Sequence, residues 1–89
     1  MDRRIEVCVK GRSSYVKWTL YQWILGFRDI LVNEYGLDID VKMIDGFEDP
    51  PLIIVGGLFI DKYVFDEGFV LEVIKKALDK VRVEFDKNM

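Results

Sequence analysis

The stretch Pro50-Pro51-Leu52-Ile53-Ile54-Val55-Gly56-Gly57-Leu58-Phe59-Ile60 decides how this chain folds. It reads as two apolar strands joined by a Gly-Gly turn and entered through a double proline. Glycine at both central positions accepts the positive φ of a tight turn whose twist matches a two-strand hairpin. Both strands are nearly all apolar, which predicts places inside a sheet rather than at an exposed edge.

Upstream of the hairpin, Asp38 to Ile44 alternates as a strand, with Ile39, Val41 and Met43 turned inward. A polar loop, Asp45 to Asp49, leads from it to the prolines. Before that, Tyr15 to Tyr35 carries Val16, Leu20, Trp23, Ile24, Phe27, Ile30 and Leu31 at helical spacing. Gly36 supplies a left-handed stop, and Gly26 reads as a point of close packing on a strand. A second stripe on this helix, Trp18, Tyr21, Leu25 and Val32, either meets the closing helix or forms a partner surface. Arg4 to Lys10 alternates Ile5, Val7 and Val9 against Glu6, Cys8 and Lys10. One half-polar face predicts a sheet covered by helices on one side only. Gly11-Arg12-Ser13-Ser14 is the turn into the helix, and either serine suits its N-cap.

Downstream, the second hairpin strand is expected from Leu58 to about Val64. Asp66 then caps a last helix whose buried stripe is Val70, Ile74, Ala77, Leu78, Val81 and Phe85. The order is β-α-β-β-β-α. Residues 1–89 form a single domain of α/β class, a four-stranded mixed sheet with both helices on one face. The competing arrangement is a ferredoxin-like plait, with one strand from Leu52 to Ile60 and a last strand from Val81 to Phe85.

Composition narrows the function classes. At 89 residues, 51% apolar and 13% aromatic, the chain can build one small core without staples. Thirteen basic against sixteen acidic residues argue against indiscriminate nucleic-acid binding. No apolar run approaches a membrane span, and Met1 to Glu6 shows no apolar signal region. Cys8 is the one cysteine and there is no histidine, so a disulfide within the chain, a cysteine zinc site and the usual general base are all absent. A reducing, cytoplasmic setting is the expectation. One glutamine and two asparagines beside many Ile, Val, Lys and Glu resemble thermophile usage.

Pro51 to Ile60, followed by Asp66 and a helix, resembles the second half of glutaredoxins and small thioredoxin-like proteins. The resemblance extends to the N-terminal strand, loop and long helix, and the short element order is similar to the selenoprotein W type. It implies a thioredoxin-like fold, a cis proline at Pro51 in the Pro50–Pro51 bond, and a turn glycine at Gly56 or Gly57. It also implies that the Arg12–Ser14 loop lies beside Pro51. The departure lies in the chemistry. Such proteins carry a cysteine or Cys-x-x-Cys where this chain has Gly11-Arg12-Ser13-Ser14-Tyr15. Their thiolate is stabilised at a helix N-terminus, and a serine hydroxyl there ionises far too weakly for thiol exchange. Cys8 sits too early, inside the strand.

Arg12, Ser13, Ser14 and Pro51 are therefore candidate binding residues rather than a redox centre. Trp18, Tyr21 and Leu25 are the candidate partner surface. The leading expectation is a redox-inactive module that binds a protein partner or dimerises. The alternative is a small thiol-compound transferase that uses Ser13 or Ser14, although no base is available to activate either. Lys10, Arg12 and Lys17 face Glu48 and Asp49 across the two loops as surface ion pairs, and Glu6 suits a cross-strand pair with Lys42. Asp38 and Asp40 are too commonplace a spacing for a metal, and neither metal nor cofactor is expected.

Overall fold

The structure is a computed structural model that describes residues 4–87, with side chains described for residues 4–82. Its elements are β1 (Arg4–Gly11), α1 (Tyr15–Tyr35), β2 (Asp38–Asp45), β3 (Leu52–Val55), β4 (Leu58–Ile60) and α2 (Glu67–Lys87). The sheet runs β2-β1-β3-β4. β1 pairs in parallel with β2, Arg4 opposite Asp38 through Gly11 opposite Asp45. It pairs antiparallel with β3, Val7 opposite Val55 and Lys10 opposite Leu52. The domain is α/β with an open, mixed sheet.

The Gly-Gly turn forms as read. Gly56 and Gly57 take φ values of 55° and 88°, which side-chain-bearing residues rarely adopt. The Gly56 N–H also donates to the Glu6 carbonyl at 2.9 Å, so the turn is fastened to β1. This hairpin and the continuous helix over residues 81–87 rule out the plait, which needs one strand through the glycines and another at Val81 to Phe85. β4 is shorter than expected. It ends at Ile60 rather than near Val64, and it lies at the sheet edge rather than inside. An apolar sequence there does not report burial: Leu58 and Phe59 are exposed.

One apolar core joins Ile5, Val7 and Val9 of β1 to Leu20, Ile24, Phe27 and Leu31 of α1, Ile53 and Val55 of β3, and Val70, Ile74, Ala77 and Leu78 of α2. Val81 is half-buried against it, while the Phe85 side chain lies outside the described residues. Two inward assignments are corrected. Ile30 and Met43 are exposed, because α1 and β2 present only part of their apolar face to the core. Gly26 is corrected as well, for a Cβ there would meet no atom within 4 Å.

Polar contacts fix the helices. The Ser14 hydroxyl accepts the Lys17 N–H at 3.1 Å as the N-cap of α1. Gly36 closes that helix with its N–H on the Val32 carbonyl. Arg28 donates its Nε to the Ile39 carbonyl at 2.6 Å, tying α1 to β2. Tyr35 donates its hydroxyl to the Lys75 carbonyl at 3.1 Å, and burial pushes its pKa up to about 12. Asp66 accepts the Phe69 N–H at 3.0 Å and so caps α2, as the sequence predicts.

Candidate functional site

The loop between β1 and α1 lies against the loop between β2 and β3. The Arg12 N–H donates to the Glu48 carbonyl at 3.1 Å, and Lys10 Nζ stands 3.4 Å from Glu48 Oε2. Backbone N–H groups, its own first, and then Lys10 hold the Glu48 carboxyl below its ordinary range. Gly11 is a point of close approach: a Cβ there would stand 2.7 Å from the Glu48 carbonyl and 3.0 Å from the Pro51 Cα. Pro51 thus stands against Gly11, the residue just before the Arg12–Ser14 loop. Arg12, Ser13 and Ser14 are all exposed, and Pro51 is buried.

The proline isomer is corrected. The cis bond is Asp49–Pro50, and Pro50–Pro51 is trans. Pro51 leads directly into the ladder that begins at Leu52. The Pro51 carbonyl accepts the Tyr63 hydroxyl at 2.6 Å, which closes the loop after β4 over the loop before β3. Burial, followed by Asp49, raises the Tyr63 pKa.

Lys17 is the residue that loop reasoning undervalued. The residue is only 5% exposed, with Nζ donating to the Gly11 carbonyl at 2.8 Å and lying 3.6 Å from Asp45 Oδ1. A sequence signal was present. Lys17 lies three and seven residues before Leu20 and Ile24, on the core stripe itself. A lysine placed there must bring its own partner. Here the lysine holds the end of β1 to the start of α1.

Cys8 lies mid-strand, buried, opposite Lys42 and Ile54. Burial and then Glu6 push its pKa up, which is the reverse of what a reactive thiol requires. The predicted Glu6–Lys42 pair forms at 2.8 Å, with Asp40 at 3.6 Å from the same ammonium.

The α1 partner stripe divides. Trp18 is 55% exposed and Leu25 40%, while Tyr21 and Val32 are half-buried on the core. Trp23 packs its ring on Phe65, with centroids 4.7 Å apart. Among the described residues no helix is long and apolar enough to cross a membrane, and no three of His, Cys, Asp and Glu gather as metal ligands. Comparison with protein-family models, curated proteins and solved structures finds no match for this chain. The geometry alone carries the reading that follows.

Proposed function

We propose that this chain is a redox-inert, thioredoxin-like module that works by binding a protein partner in a reducing, cytoplasmic setting. The strand order and the parallel β1–β2 pair joined through α1 support the thioredoxin-like reading. Placement of both helices on one face is supported by the single core that α1 and α2 share with Ile5, Val7 and Val9. The alternate β1 positions Glu6 and Lys10 carry ion pairs instead.

One observation carries the functional reading: the position where such folds hold a thiolate is filled by Ser14, and its hydroxyl is already engaged in capping α1. The only thiol is buried in β1 with a raised pKa. The transferase alternative gains nothing from the geometry, since Ser14 is occupied and Ser13 is exposed with no histidine anywhere in the chain. What the two loops do offer is a guanidinium, a hydroxyl and a proline-led strand side by side, with Trp18 and Leu25 exposed on the same helix. That combination suits recognition of another protein's surface, in which aromatic and arginine anchors carry most of the energy.

Two measurements test this. Insulin reduction and thiol-conjugation assays should give background rates, and a rate above background overturns redox inertness. Affinity capture from native extract should retain the same protein band with wild-type chain and lose it with Arg12→Glu and Trp18→Ser. Retention by both variants would remove this surface from the proposal.

A further inference from the structure

The unpaired side of β4 faces a groove of about 260 Å³ between the edge strand and α2. Ile60, Val73 and Ala77 line it with apolar surface, and Lys62, Lys76 and Lys80 stand around it, with Asp61 the one acid. Among the described residues none of the three lysines is in an ion pair. The groove is therefore cationic on a chain whose net charge is −3.

The backbone beside it is available. Val55 and Leu58 flank a two-residue turn, so they form the hydrogen-bonded pair of the hairpin. Ile54 and Phe59 are then the non-bonded pair, and Phe59 turns its N–H and C=O to the open edge. Among the described residues no proline or bulge interrupts this edge. Its shortness and the flanking Lys62 blunt it, both common protections against indiscriminate pairing.

We propose that the β4 edge and the α2 groove form a β-addition site for an extended, acidic segment of another protein, one that turns both carboxylate and apolar side chains toward α2. Main-chain hydrogen bonds to Phe59 would seat the segment. The side chains it turns toward α2 would rest on Ile60, Val73 and Ala77, and carboxylates among those same groove-facing positions would reach Lys76 and Lys80. Charge selects this occupant over a second copy of the chain. Pairing β4 with β4 across a two-fold axis would bring two α2 lysine rows together, and opposed like charges are destabilising.

This inference deepens the proposed binding role by naming a surface and a partner chemistry. Its test uses residues remote from Arg12 and Trp18, so either idea can fail without the other. The probe is a fluorescein-labelled peptide with glutamate and valine in turn at every second position and threonine between them, followed by anisotropy, with lysine in place of glutamate in its counterpart. The acidic peptide should saturate, weaken with added salt and outcompete the basic one. Lys76→Glu with Lys80→Glu should raise its Kd by about tenfold or more, and these exposed positions leave the core intact. Phe59→Pro, which removes an N–H that the hairpin does not use, should abolish binding with an unchanged far-UV spectrum. If that variant unfolds, the lysine pair still decides. Equal binding of the two peptides, no binding, an unchanged Kd in the lysine variant, or a chain dimer lost in Phe59→Pro would each overturn the proposal.

Discussion

Two glycines on this chain behave oppositely when their surroundings are considered. Gly11 is packed against backbone, with the Glu48 carbonyl and the Pro51 Cα inside the space a methyl would need. Neither neighbour can swing aside as a side-chain tip would. Gly11→Ala should therefore destabilise the fold by about 1–3 kcal/mol, as overpacking does. Gly26 sits in α1 with nothing near it, so Gly26→Ala should stabilise by about 0.5–1 kcal/mol through helix propensity. Urea unfolding of both variants checks the two signs at once. Lys17 gives a third residue-scale outcome. Lys17→Met keeps the stem but leaves the Gly11 carbonyl without its donor. The cost should be about 1–3 kcal/mol, and it would be visible as a lowered Tm.

At the scale of elements, the strands β1 and β2, the two helices and the Gly-Gly turn were legible, because each is a local pattern read against a fixed period, although Ile30 and Met43 fall outside the buried faces that those periods assign them. Glu6 with Lys42 was legible too, since parallel strands at neighbouring positions leave few other partners. What the sequence could not give was which strand ends the sheet. Leu58-Phe59-Ile60 looks buried by composition, yet burial of an edge strand is decided by what lies beyond it, which is a property of topology. The cis bond was misplaced because two adjacent prolines offer two bonds that the sequence does not tell apart. The loop pair has a pH signature. Glu48 is held below its unfolded value of 4.5, so its contribution is present above that value and lost as pH falls through the folded one. The urea midpoint should fall as the pH drops below that unfolded value, and Glu48→Gln should flatten part of that fall. An identical pH dependence in the variant would place the acid sensitivity elsewhere.

At the scale of the whole molecule, the question is whether any surface suits self-association. A stable interface takes about 800 Å² from each partner, a large share of the 5726 Å² this chain exposes. The sheet face carrying Cys8 offers little of it. Cys8 is 5% exposed, Ile54 and Leu52 are half-buried, and Glu6, Lys42 and Asp40 form ion pairs across the same face. Stacking two such faces would strip water from those charges, a cost that Coulomb attraction inside the interface often fails to recover. On α1, Trp18 and Leu25 lie seven residues apart on one stripe, but Ile30 points elsewhere, so the helix presents two anchors rather than a seam. At the β4 edge Phe59 is 65% exposed, yet the lysines of α2 oppose a symmetric pairing there. The small size of the apolar features and the charges around them disfavour pairing with a second copy. Sedimentation equilibrium across the micromolar range should return a single mass near 10.5 kDa at every concentration. A mass that rises toward twice that value would mean that one of these surfaces is self-complementary. Repeating the run with Phe59→Asp, Trp18→Ser and Ile54→Asp would then identify which one.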